Sequence, residues 1–355
     1  MEAKQIRTPA LLVDLDVLEA NQARMQEIVR RSRAKLRPHY KSHKCIAIAK
    51  KQIRAGAKGI ACAKLGEAKD LAEAGIEDVL IANEITDKSK IAEAAGLANC
   101  CRLSIAVDQE ENILDLEAAA AFQNAKIHCL VEYEIGMRRC GVDTPERAYR
   151  LAKTVKSCPH LVFDGIQAYA GHMSHEPSPD VRRRTAQAVE DRLLELKAYL
   201  EARDCPVREI SGCGTASVAD HAFMETVYTE FQAGSYIFMD AAYRELRDLP
   251  FQNSLFVLTT VMSKAGGGAI MDAGVKAVSS DQAPPVLRGY ETYPVTLSEE
   301  HIQAGIPEDA AKIGDKFFLV PGHCCTCVNL YSDIYFIRGG RVIDKVPVTS
   351  RGKSW

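Results

Sequence analysis

Short apolar runs alternate with amphipathic stretches along most of the chain. The apolar runs predict strands over residues 36–41, 59–63, 78–83, 102–107, 126–134, 162–169, 207–211 and 229–237. The stretches between them have helical spacing at residues 65–74, 88–97, 110–122, 145–155 and 180–202. A strand over residues 8–14 and a helix capped by Asp14 or Asp16 precede them. This rhythm matches a (β/α)8 TIM barrel, with an open doubly wound sheet as the alternative.

The sequence after the first helix favours the barrel, because it lacks the G-x-G-x-x-G pattern of dinucleotide-binding open sheets. The rhythm changes near Asp240. Beyond it, β-rich runs occur at residues 255–262, 269–272, 317–320, 328–337 and 342–348, with glycine turns at 266–268 and 339–340. We therefore predict an α/β protein with a barrel domain at residues 15–240. An all-β domain at residues 241–355 would follow, joined by the strand at 8–14.

Composition and charge narrow the class of protein. The 355 residues are 47% hydrophobic and 26% charged, which is ordinary for a globular protein. A net charge of −2 gives no electrostatic reason to expect nucleic acid or an anionic membrane as a partner. The first residues lack the apolar segment of a signal peptide, so we expect a cytoplasmic protein. Its 12 cysteines would then be free thiols or metal ligands.

The most unusual stretch is Leu36-Arg37-Pro38-His39-Tyr40-Lys41-Ser42-His43-Lys44. In an extended chain, Arg37, His39, Lys41 and His43 would share one face. Such a face is either a solvated edge strand or a polar pocket in which Lys41 is a reactive amine that forms a Schiff base. The barrel favours the second interpretation, because the carboxyl ends of barrel strands face the active site.

Two glycine loops follow the seventh and eighth predicted strands, at residues 211–215 and 232–236. Each alone is more typical of a tight turn, but barrels often bind phosphate at this position. A reactive lysine after the first strand and a phosphate site after the last two indicate pyridoxal 5'-phosphate (PLP).

Further candidate residues lie at other strand ends. Arg139 follows the fifth strand and Tyr169 ends the sixth, where both would contact a bound cofactor ring, although each could also be an ordinary loop residue. His172 and His175 lie on the next loop and are candidate acid–base groups.

A cysteine-rich motif, Pro321-Gly322-His323-Cys324-Cys325-Thr326-Cys327, lies in the predicted β domain. In a strand, His323, Cys325 and Cys327 would share a face, and His323 with Cys325 would bind one metal ion. These ligand types suit Zn²⁺ and similar divalent ions. The alternative is a buried thiol-rich strand. A closed structural zinc site is disfavoured, because no second paired motif lies nearby.

Together these residues resemble the family of D-threonine aldolases and D-serine dehydratases, which are relatives of alanine racemase. The similarity extends through Thr8-Pro9-Ala10-Leu11 and residues 37–44, 66–68, 136–142, 167–169, 233–240, 253–256 and 271–274. The resemblance implies an alanine-racemase-type barrel that binds PLP, a β domain and a homodimer. It places the Schiff base on Lys41, and Arg139 and Tyr169 beside the cofactor.

The same resemblance implies the other site residues. It assigns the cofactor phosphate to loops that include Gly214, Thr215, Gly234, Ser235 and Tyr236. It assigns a divalent metal (Zn, Mn, Co or Mg) to two residues, His323 and Cys325. His175 matches a histidine that handles the substrate hydroxyl proton in the aldolases.

The metal motif departs from the aldolase pattern, since aldolases typically have aspartate where this chain has Cys325 and the similar dehydratases use cysteine. Cys327 would be a third ligand or a bystander thiol. The whole-chain similarity and His175 favour an aldolase that cleaves small D-3-hydroxy-amino acids to glycine and an aldehyde. The alternative is a D-serine or D-3-hydroxyaspartate dehydratase, which would release ammonia and a 2-oxo acid. An amino-acid racemase is a third, less favoured function.

Overall fold

The computed structural model describes residues 1–264 and 268–355, and their contacts divide the chain into two units. The barrel unit contains Met25–Lys41, Ile48–Gly234 and Lys353–Trp355. The β unit contains Met1–Arg24, Ser42–Ala47 and Ser235–Gly352. Among the described residues, no helix is both long and apolar enough to cross a membrane.

Strands and helices alternate through most of the chain, as the sequence pattern indicates. The chain begins with β1 (Ala10–Asp14) and α1 (Leu15–Val29). The alternating elements are then β2 (Lys35–Leu36), α2 (Ile46–Arg54), β3 (Ile60–Cys62), α3 (Leu65–Glu73), β4 (Asp78–Ile81), α4 (Lys88–Leu97), β5 (Arg102–Val107), α5 (Glu110–Phe122), β6 (Ile127–Glu132), α6 (Pro145–Ser157), β7 (Leu161–Ala168), α7 (Pro179–Glu201), β8 (Glu209–Gly212), α8 (Val218–Ala222) and β9 (Glu230–Phe231). The remaining elements are β10 (Leu255–Ser263), β11 (Ala269–Met271), β12 (Val286–Leu287), β13 (Val295–Leu297), β14 (Ile302–Ala304), β15 (Lys316–Val320), α9 (Cys324–Val328), β16 (Asp333–Arg338) and β17 (Arg341–Pro347).

The barrel unit contains one eight-stranded sheet in the order β2-β9-β8-β7-β6-β5-β4-β3. Every neighbouring pair in it is parallel. An isolated parallel bridge between His39, just beyond β2, and Ala61, within β3, joins the two ends of this order. The sheet therefore curls into a TIM-like barrel, which confirms the predicted fold class over the open-sheet alternative.

Side-chain caps explain why several helices begin where the sequence predicts. Asp14 accepts hydrogen bonds from the backbone N–H groups of Asp16 and Val17, and so is the cap of α1 rather than Asp16. Thr144 caps α6 by accepting from Arg147 N at 3.3 Å, and a proline follows it at the first helical position. The Ser178 hydroxyl accepts from Val181 N in the same way at α7.

Two predicted barrel strands are much shorter than expected. The strand predicted at 36–41 ends at Leu36, and a 3-10 helix, Tyr40–Ser42, follows it. The predicted four-residue face is therefore wrong beyond His39. Pro38 has no N–H to extend the ladder, although the N–H groups of Arg37 and His39 still donate to Phe231 O and Ala233 O. The strand predicted at 229–237 similarly ends at Phe231, and helix α2 was not predicted.

The β unit contains a nine-stranded, mostly antiparallel sheet. Its main path is β13-β14-β11-β10-β1-β16-β17, while β15 pairs with β10 and β12. The N-terminal strand β1 lies between β10, which is antiparallel to it, and β16, which is parallel. Strands β12, β13 and β14 were not predicted. The turn at Gly339-Gly340 connects β16 and β17, whereas residues 266–267 of the other predicted turn lie outside the described residues.

A ring of charged side chains surrounds the amino ends of the barrel strands. Its members come from every strand or the residues just beside it: Arg37, Lys58, Asp78, Arg102, His128, Asp164, Glu209 and Glu230. Most members of the ring are paired, some of them across the barrel, with nitrogen–oxygen distances of 2.8 Å for Arg37–Asp78, 2.6 Å for Lys58–Glu209 and 2.7 Å for His128–Asp164. Arg102 reaches three of the four carboxylates. This end of a barrel determines stability rather than chemistry.

Arg37 is the most deeply buried cation of the ring. Its side chain is 1% exposed and its Nε lies 2.8 Å from Glu230 Oε1, which has no exposure. Burial opposes its charge, but Glu230 and Asp78 outweigh that effect and raise the pKa of Arg37 above its usual value. Arg37 and Lys58 correspondingly lower the pKa of Glu230 despite its burial. Because β2 has only two residues, these ion pairs contribute much of what joins β2 to β9 and β4.

A neutral polar chain lies inside the same barrel, between strands β6, β7, β8 and β9. Gln167 donates from its amide to Glu132 and accepts from Gln232 Nε2 at 3.1 Å. Gln232 Nε2 also lies 2.7 Å from Ser211 Oγ. All four side chains are buried. Burial first, and then the nearby Glu84 carboxylate, raise the pKa of Glu132 to about 8.

Replacing Arg37 tests the charge ring. We expect Arg37→Met to lower the free energy of unfolding by roughly 3–5 kcal/mol, because it leaves Glu230 buried without its main cation. Equilibrium denaturant unfolding measures this. The matched control is Arg338→Met, which removes an exposed arginine that pairs with Asp16 and Glu19 and should change stability little. Equal losses in the two variants would contradict the role of Arg37.

Replacing Glu132 tests the raised pKa. The folded protein keeps the Glu132 proton up to about pH 8, whereas the unfolded chain releases it near the ordinary value of 4.5. Wild-type stability therefore falls as pH rises between these values, and Glu132→Gln lacks this loss. We expect the unfolding free energy of the variant, relative to wild type, to rise by a few kcal/mol from roughly pH 5 to roughly pH 9.

Denaturant unfolding at several pH values measures this difference. Glu93→Gln, on the exposed Lys69–Glu93 pair, controls for the loss of one carboxyl group. Parallel stability–pH curves for wild type and Glu132→Gln would show that Glu132 does not hold its proton.

Candidate functional site

Lys41 lies in a cavity of about 160 Å³ at the carboxyl ends of the barrel strands. The cavity is lined by His39, Lys41, Ala63, Ala82, Asn83, Arg139, Cys140, Gln167, Tyr169 and Gln232. The 3-10 helix Tyr40–Ser42 presents Lys41, whose backbone N–H donates to His39 Nδ1 at 3.4 Å. The amine of Lys41 lies 5.7 Å from the centroid of the Tyr169 ring. The predicted reactive lysine is thus inside a polar cavity and not on a solvated edge.

Tyr169 is held in place by two glycine-containing loops. A Cβ added at Gly171 would lie 2.5 Å from its Cε1 atom, and one added at Gly214 would lie 3.5 Å from its Cε2 atom. The first contact would clash, so Gly171 is required for the ring to lie there. The Arg139 guanidinium approaches the same ring, 5.7 Å from its centroid. The structure therefore brings together Lys41, Arg139, Tyr169 and the Gly214 loop, as the sequence predicts.

The two predicted phosphate loops leave neighbouring strands. Gln232 N donates to Gly212 O at 2.7 Å, so the chains run side by side where the loops begin. Cys213 has a φ of +66° and starts the tight turn that leads to Gly214 and Thr215. Gly234 is the last barrel-unit residue of its loop.

The rest of the second loop belongs to the β unit. There Ser235 begins a 3-10 helix, Ser235–Ile237, and Tyr236 is fully buried 5.8 Å from the Phe251 ring. The predicted phosphate residues are thus divided between the two units.

Acidic groups beside Arg139 were not predicted from the sequence. Glu84, Asp108 and Cys140 offer oxygen and sulfur atoms that all lie within 4.8 Å of one another. Asp108 also accepts from Gly141 N at 3.0 Å, and Cys140 hydrogen-bonds Glu84. Burial raises the pKa of Glu84, and burial with the Glu84 charge raises the pKa of the Cys140 thiol to about 11. Carboxylates just after β4 and β5 are the sequence signal that could have identified this group.

The two candidate histidines lie outside the Lys41 cavity in the described part of the chain. His172, in the 3-10 helix Gly171–Met173, lies against Gly136, where a Cβ would be 2.5 Å from its Cε1. Its partial burial lowers its pKa. His175 follows on an exposed part of the same loop. The predicted role of His175 remains a prediction.

The predicted strand at the metal motif is wrong. His323 is extended, but α9 (Cys324–Val328) begins directly after it. Strand alternation therefore does not bring the ligands together. The helix start does, because the Cys325 thiol hydrogen-bonds the His323 ring. Burial lowers the pKa of His323, but Cys325 and Asp281 outweigh this and raise it to about 9.

Three side chains that sequence reasoning missed fix the metal motif, and two of them, Ser279 and Asp240, are buried. Ser279 Oγ donates to His323 O at 2.6 Å and accepts from His323 N at 3.1 Å. Asp281 lies 2.7 Å from His323 Nδ1. Asp240 accepts from Cys324 N at 2.8 Å. Their distance along the chain from the motif, 42 residues for Asp281, leaves no local sequence signal.

The other two cysteines of the motif are buried thiols. Cys327 has no exposure, and burial raises its pKa to about 12. Cys324 is also fully buried, with its sulfur 3.9 Å from that of Cys325. Cys325 is the partly exposed member. Cys327 therefore has the environment of a bystander thiol. Throughout the described residues, the cysteines are free thiols.

The residues of the Lys41 cavity fit the cofactor that the sequence implies, and the residues of the His323 motif fit the implied metal ion. In the barrel unit, a primary amine, an aromatic ring and a guanidinium line one cavity, and a glycine loop lies against the aromatic ring. These groups suit a cofactor with an aldehyde, a ring and a phosphate. In the β unit, an imidazole and a thiol in contact are suitable donors for a borderline divalent ion.

Comparison with known proteins identifies the family. Residues 13–242 match the family model "Alanine racemase, N-terminal domain", and residues 254–337 match "Putative serine dehydratase domain". A 3-hydroxy-D-aspartate aldolase from Paracoccus denitrificans is 36% identical over 100% of this chain and 95% of its own length.

Two further relatives represent both reaction types. The crystal structure of D-threonine aldolase from Filomicrobium marinum has a TM-score of 0.96 and 36% identity, covering 99% of this chain and 98% of that one. A D-threo-3-hydroxyaspartate dehydratase from Delftia sp. is 30% identical over 78% of this chain and 73% of its own length. Because two 36% identical relatives span nearly the whole chain, the protein belongs to the D-threonine aldolase and D-serine dehydratase family of alanine-racemase-like lyases.

Proposed function

We propose that the protein is a PLP- and divalent-metal-dependent lyase that cleaves D-3-hydroxy-amino acids to glycine and an aldehyde. The observation that carries the proposal is the cavity in which the Lys41 amine faces Tyr169 and Arg139. Similarity to aldolases along nearly the whole chain supports this reaction over others on the same fold.

In this proposal, the barrel residues hold the cofactor. Lys41 would attach it covalently, and Tyr169 and Arg139, which lie near each other, would contact its ring. The phosphate would be bound by loop residues Gly214, Thr215, Gly234, Ser235 and Tyr236. PLP supplies an electron sink for the electron pair that is left on the substrate α-carbon when a bond to it breaks.

Residues outside the Lys41 cavity would activate the substrate hydroxyl. His323 and Cys325 would hold a divalent ion, which would supply a Lewis acid for the substrate hydroxyl. His175 accepts the hydroxyl proton, so that the O–H electron pair forms the aldehyde carbonyl as the Cα–Cβ bond breaks. Protonation of the α-carbon then gives glycine.

A dehydratase is the second candidate, favoured by Cys325, because the similar dehydratases use cysteine at this position. In that reaction, Lys41 would take the α-proton and the hydroxyl would leave from the β-carbon. Ammonia and a 2-oxo acid would be the products. A racemase, which would need no metal, is the third and least favoured function.

The proposal includes the organisation predicted from the sequence. The barrel domain would comprise residues 15–240, and the β domain residues 241–355 with the strand at 8–14. A homodimer and a cytoplasmic location also stay predictions.

Product analysis tests the reaction. We expect the PLP- and metal-loaded enzyme to convert D-threonine to glycine and acetaldehyde. Lys41→Ala should abolish turnover and the visible absorbance of the attached cofactor, since Lys41 is the lysine among the described residues that line the cavity. Lys50→Ala, on the exposed side of α2, is the matched control and should retain both. Ammonia and 2-oxobutanoate without glycine would instead establish the dehydratase.

Metal removal tests the proposed metal site at His323 and Cys325. We expect dialysis against a chelator to reduce turnover by at least about 100-fold, because the hydroxyl then loses its Lewis acid. Added Mn²⁺ or Co²⁺ should restore activity, and atomic emission should show about one ion per chain. Full activity in the chelated enzyme would eliminate the metal from the mechanism and favour a racemase-like site.

A further inference from the structure

We propose that Asp281 is a positioning residue of the metal site, which holds the His323 imidazole so that its other nitrogen faces the ion. The inference rests on the proposed metal role of His323 and Cys325. Asp281 Oδ2 lies 2.7 Å from His323 Nδ1, while the Cys325 thiol is also hydrogen-bonded to this ring. An imidazole has two nitrogens, so a carboxylate on Nδ1 reserves Nε2 for the side of the ring that Cys325 shares.

The carboxylate is itself fixed by the helix that carries Cys325. Thr326 Oγ donates to Asp281 Oδ1 at 2.6 Å, so the two oxygens of Asp281 bind different partners. The Thr326 hydroxyl has one proton, and its alternative acceptor, His323 O, is farther away at 3.3 Å. Asp281 therefore connects the ring of His323 to Thr326, the residue that follows Cys325.

The segment that contains Asp281 also holds the backbone of His323. Ser279 Oγ donates to His323 O and accepts from His323 N. Residues 279 and 281 thus fix both the position of the His323 main chain and the rotation of its ring. A ring held at its backbone and at Nδ1 has little remaining freedom, which lowers the entropy cost of binding an ion.

A carboxylate on the far nitrogen also makes an imidazole a better ligand. It stabilises the tautomer with the proton on Nδ1 and increases the basicity of Nε2. Loss of such a partner typically weakens metal affinity by about 10- to 100-fold. The competing explanation is a surface ion pair, since the Asp281 side chain is 46% exposed. A surface pair would affect stability slightly and metal affinity not at all.

Cobalt titration distinguishes these explanations. The PLP-loaded, chelator-treated enzyme is titrated with Co²⁺, and the thiolate-to-cobalt absorption band reports occupancy at Cys325. We expect Asp281→Ala to weaken Co²⁺ binding by about 10- to 100-fold, and Asp281→Asn, which keeps one acceptor, to weaken it less. The band at saturation should be unchanged, because the direct ligands remain.

Two control variants distinguish the placement of the Asp281 carboxylate from the mere loss of a negative charge. Asp333→Asn removes an exposed carboxyl of the same unit that pairs with Lys345 at 2.7 Å, and should leave Co²⁺ affinity unchanged. Thr326→Val keeps the Asp281–His323 bond but frees the carboxylate, so it should give a smaller loss than Asp281→Ala. Melting temperatures without metal show whether each variant is folded.

Three results would overturn the inference. These are an Asp281→Ala affinity within about twofold of wild type, a changed band at saturation, which would make Asp281 a direct ligand, and absence of Co²⁺ binding by the wild type. The titration measures no turnover. If D-threonine is not cleaved but Co²⁺ affinity depends on Asp281, the proposed function fails and the inference stands.

Discussion

The buried charge of Arg37 is the constraint on which the barrel depends. A guanidinium with 1% exposure is tolerated only because Glu230 and Asp78 both lie 2.8 Å from its nitrogens. These partners begin β9 and β4, so the ion pairs connect strands that the two-residue β2 could not hold by backbone bonds alone. The ring continues through Lys58, Arg102 and their carboxylates, and its cations and anions nearly balance. Loss of one member therefore leaves its neighbours uncompensated.

This arrangement also determines where the reactive amine lies. Lys41 is four residues after Arg37, and between them the His39–Ala61 bridge, the bond from His39 N to Ala233 O and a 3-10 turn direct the chain. An anchored Arg37 and a bridged His39 leave the turn few possible positions, so the amine faces the cavity. Above the charged ring, Glu132 retains its proton and the Gln167–Gln232 amides complete a neutral layer. Gln167 and Gln232 also line the cavity, so this layer lies between the charged side chains at the amino ends of the strands and Lys41.

The sequence predicts elements whose buried residues recur at a regular spacing. It does not predict elements whose bounds depend on contacts with residues far along the chain. Strand β5 and helices α4 and α5 have the predicted bounds, because strands buried on both faces are apolar runs and their helices have a clear period. Lys41, Arg139 and Tyr169 were predicted because strand ends meet at one edge of a barrel. The turn at Tyr40 and helix α9 were missed. Helix α9 has only five residues, and Ser279 and Asp240 fix its start from far along the chain.

The proposed choice between two lyase reactions then depends on few side chains rather than on the fold. An imidazole and a thiolate would supply one negative charge to a divalent ion, and Asp281 places a second negative charge one ring away. Each added negative charge reduces the Lewis acidity that the ion can exert on a hydroxyl. A less acidic ion would assist the departure of hydroxide less. The reaction would then depend more on a base. In the aldolase, the base acts on the hydroxyl, and in the dehydratase it acts on the α-carbon. In the proposed site, the charge around His323 and Cys325 would therefore set how much the reaction depends on where that base lies.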